Sequence, residues 1–205
     1  IYDIAREPTA RPFFLLVSFV HPHDPFATTQ EYWDRYDHDA IDLPAVPCIP
    51  ADRSDPHSQR IRSEFLIDQA HLEEKHIRNA RHAYYGSISY VDDQIGKLLR
   101  ALRSTNLDRN TIVVFTGDHG EMLGERGLWF KRNFFEWSSR VPLIVHAPDR
   151  FTPRRVAQAV SLVDLFPTIV ELASTPGRLL DLVEAVDGYS LVRLLDGKEA
   201  GGADT

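Results

Sequence analysis

An α/β fold with a largely parallel mixed sheet and helices on both faces is what this sequence predicts, on three observations. Short apolar runs rich in branched residues recur at strand length, one long segment repeats apolar residues at helical spacing, and prolines and glycines punctuate the two kinds of segment. Phe13 to Val20 (FFLLVSFV) is a nearly unbroken apolar run, the pattern of a strand covered on both faces. His21-Pro22-His23-Asp24-Pro25 ends it, because proline lacks a backbone donor and restricts φ. Residues of about 30–63 carry prolines 44, 47, 50 and 56 among many charges, and predict a long surface excursion with little regular structure.

From Leu72 to about Leu102 the residues Ile77, Tyr84, Ile88, Val91, Ile95, Leu98 and Leu102 form one apolar stripe at three- and four-residue steps, and Asn106 is a suitable helix stop. Thr111 to Thr116 (TIVVFT) is a second buried strand, Pro142 to Ala147 (PLIVHA) a third, and Val156 to Val163 a fourth. A helix from about Asp164 to Ala173 follows. With Asp164 as N-cap, Pro167 falls in the first turn, where no intrahelical N–H bond is lost.

The 205 residues suffice for one sizeable core or for part of a larger one. Net charge is −7 and the basic residues are dispersed, which argues against a nucleic-acid partner, since phosphate neutralisation needs a concentrated basic face. No apolar run approaches the roughly 20 residues of a membrane span, and no signal peptide is visible. The single Cys48 excludes an internal disulfide and fits a reducing, cytoplasmic compartment. Ile1 is not an initiator and the only methionine is Met122, which suggests a piece of a longer enzyme.

In parallel sheets ligands gather beyond the carboxyl ends of the strands. Two clusters stand at such ends: His21 and His23 after one strand, Asp118 and His119 after another. In Thr116-Gly117-Asp118-His119-Gly120-Glu121 a carboxylate and an imidazole flanked by glycines can approach a cation closely; alternatively, Asp118 caps a helix starting near Glu121. Lys131, in Gly127-Leu128-Trp129-Phe130-Lys131, either snorkels to solvent or is a fixed positive charge over an anionic group. His23, between prolines, is either structural or a donor to a substrate oxygen or leaving group. Histidines 38, 57, 71, 76 and 82 lie in polar or helical surface contexts and receive no role; His146, inside a strand, reads as a core histidine.

Taken in order, Pro22-His23-Asp24-Pro25, Phe115 to Glu121 (FTGDHGE), Leu123-Gly124-Glu125-Arg126-Gly127, Lys131 and Arg140-Val141-Pro142-Leu143-Ile144 resemble the sulfatases of the alkaline-phosphatase superfamily. The likeness runs from about Phe13 to Ala173. It is greatest toward the choline-sulfatase branch, through His21 to Pro25, Asp55-Pro56-His57-Ser58, Asn79 to Asp93, Glu125 to Trp137 and Leu143 to Pro148. The resemblance implies an alkaline-phosphatase-like three-layer sandwich, present across 1–205 as a partial catalytic domain. It implies a divalent metal ion (calcium or manganese) and a formylglycine nucleophile made from a Cys-x-Pro-x-Arg cysteine. Asp118 and His119 would be metal ligands, Lys131 and His23 catalytic, and His21 and Trp129 substrate-binding.

Cys48-Ile49-Pro50-Ala51-Asp52 places aspartate where that motif needs arginine, and it follows the Phe13–Val20 strand instead of preceding it. Cys48 therefore reads as a surface-loop cysteine. The nucleophile, its arginine and two metal carboxylates are expected before Ile1, and the isolated chain is expected to be inactive. The implied substrate is a small sulfate ester, choline-O-sulfate, whose quaternary ammonium suits aromatic faces. Trp129, Phe130, Phe134, Phe135 and Trp137 beside Lys131, and Phe26, Tyr32 and Trp33 after His23, are candidates, with Phe134 and Phe135 read as core. The complete enzyme is expected to be a homo-oligomer. The competing readings are a phosphonate or phosphate ester hydrolase of the same superfamily, and a non-catalytic remnant or assembly fragment.

Overall fold

The computed structural model describes residues 1–7, 12–174 and 185–198. The chain divides into two compact units, Ile1–Ile144 and Val145–Thr205. Helices α1 (Tyr2–Arg6), α2 (Gln30–Trp33) and α3 (Pro56–Glu64) precede a long α4 (Glu74–Ser104), followed by β1 (Val113–Thr116), α5 (Glu136–Ser139) and β2 (Leu143–His146).

Helix α4 is the spine of the first unit and matches the predicted helix. Its stop is the predicted one: Asn106 takes a left-handed φ of 57°, and the amides of Leu107 and Asn106 donate back to the carbonyls of Leu102 and Arg103, closing a Schellman turn. The buried mid-helix face is not the apolar stripe, however. Arg81, His82, Ala83, Gly86 and Ser87 are buried while Ile88 is exposed. Small residues explain this: the space beside Gly86 is filled by Thr28, and Ser87 donates to the Ala27 carbonyl at 3.0 Å, so the chain entering α2 lies directly on α4. His82, read from sequence as a surface residue, is fully buried. Its Nε2–H donates to the Trp33 carbonyl (2.8 Å), its ring stacks on Trp33 at 3.6 Å, and its Nδ1 lies 2.9 Å from Nδ1 of His38.

The excursion of residues 30–63 holds more regular structure than its composition predicts. Ile41 and Ile61 are 3% and 2% exposed, and Ile61 forms a core cluster with Met122 and Leu128, flanked by Phe65 and Phe135. Asp55-Pro56 starts α3: the Asp55 carboxylate accepts from His57 N (3.0 Å) and Ser58 N (2.9 Å), and Pro56 stands in the first turn. The Ser58 hydroxyl and amide, then the His57 amide, hold the Asp55 carboxyl below the usual carboxylate range. A lowered folded-state pKa contributes stability that is present above the unfolded pKa and lost as pH falls through the folded one. We expect Asp55→Ala to cost about 1 kcal/mol and to flatten that acid-side decline, read by thermal melting across pH.

The sheet is smaller than predicted. β1 and β2 pair in a two-stranded sheet. Phe13–Val20 forms no strand, and Phe14, Leu16 and Val20 are 74%, 79% and 79% exposed. Residues 156–163 likewise form no strand, with Val156, Val160 and Val163 exposed. β1 itself is only partly buried, and His146 in β2 is exposed, so it is not a core histidine. An apolar run becomes a buried strand only where neighbours satisfy its backbone groups and cover its faces, and among the described residues only β1 and β2 do this for each other.

The second unit carries a 3-10 turn (Leu162–Asp164), α6 (Leu165–Ala173) and α7 (Val192–Leu195). Asp164 stands at the predicted N-cap position of α6, but its side chain makes no capping bond to that helix. Ser161 caps the turn, Asp164 Oδ2 returns to Ser161 N at 2.8 Å, and Oδ1 accepts from Tyr189 N at 2.8 Å. Among the described residues no helix is long and apolar enough to cross a membrane.

Candidate active site

Four of the residues singled out in the sequence converge in the first unit. After the Phe13–Val20 run, His23 N bonds back to the Val20 carbonyl (3.0 Å), and its Nδ1–H donates to the Asp24 carbonyl (2.8 Å). That bond commits the proton to Nδ1 and leaves Nε2 as an acceptor, 2.5 Å from Nζ of Lys131. The His23 ring lies edge-on to His119, with centroids 6.4 Å apart.

Asp118 and His119 leave the end of β1 in a loop, and no helix begins at Glu121, so the N-cap reading of Asp118 fails. His119 Nδ1–H donates to the Gly120 carbonyl at 2.8 Å, which leaves the Nε2 lone pair on the side of the Asp118 carboxylate, 3.7 Å from Oδ2. An imidazole whose second nitrogen is anchored on a backbone carbonyl is the arrangement that metal-ligating histidines adopt. The pair fits two donors of a divalent cation's shell. Among the described residues no third His, Cys, Asp or Glu joins them. Gly120 must be glycine here: its amide donates to Ser138 O (2.7 Å), and a Cβ would overlap the Trp137 carbonyl.

Lys131 is half-buried and does not snorkel away from the protein, since its Nζ meets His23. It is held in an unusual turn in which the flanking Phe130 and Arg132 have φ of 65° and 73°. Left-handed backbone at non-glycine residues costs roughly 1–3 kcal/mol each and persists only where its surroundings over-determine it. Here Met122 N donates to Phe130 O (2.8 Å), and Glu121 Oε1 accepts from Phe130 N (2.5 Å) and Leu123 N (3.3 Å). Burial pushes the Glu121 carboxyl up from its ordinary range, against the two amides and Lys131, which pull it down. Burial, then the Glu121 charge, push Tyr84 beside it up to about 12.

The aromatic residues sort differently from the sequence reading. Phe26 is the hub of one layer, packing on Tyr84 (6.2 Å), Trp129 (5.8 Å) and Phe130 (6.3 Å). Trp129 is only 7% exposed within that layer. His21 is exposed and packs on Tyr90 at 5.4 Å, apart from the Lys131 contact. Phe134, read as core, is 96% exposed; Phe135 is half-buried against the guanidinium of Arg126 (4.5 Å) and the core cluster. Exposed Cys48 lies 3.3 Å from Nη1 of Arg62 and beside Gly127.

Sequence reading missed Glu121 and Glu125. Glu125 is 1% exposed and its two oxygens accept from Ala45 N and Val46 N, both at 2.9 Å, binding the excursion to the site loop. Arg81 of α4 donates to the Leu123 carbonyl at 3.1 Å on the same loop. The available signal was an acidic residue enclosed by glycines in Gly124-Glu125-Arg126-Gly127, where three left-handed positions, Gly124, Arg126 and Gly127, fold the chain back over it.

The sulfatase family model matches residues 1–175. A choline-sulfatase of Rhizobium meliloti is 41% identical over 97% of this chain, and an arylsulfatase of Clostridium perfringens 30% identical over 94%. The chain spans 39% of the length of each. The crystal structure of a phosphonate monoester hydrolase of Agrobacterium radiobacter superimposes with a TM-score of 0.75 at 28% identity, covering 98% of this chain and 42% of that one.

Proposed function

Because the chain belongs to the sulfatase family, we propose that it supplies the metal-and-lysine half of an active site that hydrolyses choline-O-sulfate to choline and sulfate. The observation that carries this reading is the 2.5 Å contact of Lys131 Nζ with His23 Nε2, beside His119 and Asp118. The family and the 41% identical choline-sulfatase support a sulfate ester and this substrate respectively. The architecture that goes with it is the alkaline-phosphatase-like sandwich, of which β1 and β2 are part.

Asp118 Oδ and His119 Nε2 would hold a divalent cation, calcium or manganese, which when bound polarises the ester's sulfate oxygens. An imidazole donor suits manganese better than calcium, which prefers oxygen. The ammonium of Lys131 stands where it can donate to anionic sulfate oxygens as charge develops, and its rigid turn means little reorganisation on reaction. His23 Nε2, freed once the anion draws the Lys131 ammonium away, would take up a proton from water while Nδ1–H stays on the Asp24 carbonyl, and would then donate the Nε2 proton to the departing ester oxygen. His21 and Trp129 belong to the substrate side in this reading, Trp129 as a wall behind Phe26.

The test is the complete enzyme assayed on choline-O-sulfate and on a phosphonate monoester. We expect the higher kcat/KM on choline-O-sulfate. The likeness to the Agrobacterium hydrolase supports a second reading, a phosphonate monoesterase, and a reversed preference would establish that one instead.

A further inference from the structure

The turn that carries Lys131 is pinned at both ends by side chains from outside it. Glu121 holds the entry, at Phe130 N. The exit is held from a distant part of the chain: Nε2–H of His57 donates to the Arg132 carbonyl at 2.7 Å, across 75 residues of sequence. Arg60 Nη2 lies 3.3 Å from His57 Nδ1 and donates to it, which leaves Nε2 as the protonated nitrogen. His57 is exposed and stands in the first turn of α3, where the Asp55 cap fixes its backbone. Arg132 is drawn to the same helix through its ion pair with Glu64 and its guanidinium over Phe65, 5.1 Å from the ring centre.

We propose that His57 is a positioning residue for the sulfate-ester reaction: by holding the Arg132 carbonyl it keeps the left-handed Phe130–Arg132 turn closed and Lys131 Nζ against His23. The inference rests on the reading of Lys131 as catalytic. Two left-handed non-glycine residues in three positions do not hold themselves, and each end of the turn has one external side-chain bond to its backbone. The excursion of residues 30–63 thus reaches the chemistry through α3, touching no reacting group itself. An ångström of slack at Lys131 Nζ is enough to cost much of its effect on the transition state.

The complete enzyme tests this with His57→Ala, His57→Phe and His57→Gln, each alone, and with His57→Ala combined with Lys131→Ala. Steady-state kinetics on choline-O-sulfate and thermal melting are measured for all. Alanine and phenylalanine should lower kcat roughly 10- to 100-fold with KM little changed, phenylalanine doing so although it keeps the ring. Glutamine, which retains an N–H donor, should recover most of the loss. In the Lys131→Ala background His57→Ala should cost almost nothing further, because the two act as one unit. Wild-type kcat in His57→Phe, no recovery in His57→Gln, or losses that multiply in the double variant would overturn the positioning role while leaving Lys131 catalytic. An undiminished Lys131→Ala enzyme would remove the underlying reading and this inference together.

Discussion

Asp118→Ala in the complete enzyme is expected to abolish metal-dependent turnover. The Asp118 side chain is 89% exposed and its hydrogen bond goes only to the adjacent His119 amide (3.0 Å), so its removal leaves no cavity and breaks no packing. A fall in activity can then be assigned to lost coordination. Even an outer partner of a metal ligand is commonly worth 10- to 100-fold in affinity or activity, so a direct ligand should cost at least about 100-fold. Metal content by elemental analysis should fall in parallel with kcat, and excess metal should restore part of it. A variant with wild-type turnover and full metal content would refute the assignment.

The second large effect is at Lys131. Lys131→Ala should reduce kcat by about 10²–10³, the cost of removing one preorganised donor to a developing oxyanion. Its fold should survive, because the turn is held by its neighbours: Glu121 and Met122 on Phe130, His57 on Arg132. Melting temperature and kcat are therefore expected to separate. A variant that unfolds, or one with unchanged kinetics, would count against a catalytic role.

Much of the candidate site was legible because the proposed ligands are neighbours in sequence. Asp118-His119 follows a short β-branched run, and glycines on either side permit the close backbone approach seen at Gly120. Helix α4 and its Asn106 stop were legible for the same reason, since period and cap are written in adjacent residues. What could not be read depends on partners far along the chain. His82 carries no local mark of burial; it is buried because Trp33 and His38 lie on it. His57 looks like any polar helix residue until Arg132 is placed beside it. The Phe13–Val20 run reads as a buried strand from its own composition, yet burial belongs to the neighbours of a strand, and here its side chains are largely exposed. The Asp55-Pro56 start of α3, by contrast, is written locally, as an N-cap followed by proline.

The His23–Lys131 contact closes a loop of 108 residues. Contacts within α4 and its cap form between near neighbours and can be made early, whereas the closure entropy of so long a loop must be met before this one is rewarded. The site also rests on a left-handed turn that only its external bonds maintain. Such a region opens at a lower free energy than the core around it. In time, then, the candidate site sits at the margin of this unit. It is the part expected to be made last as the chain folds, and to be given up first on heating, while α4 is still intact.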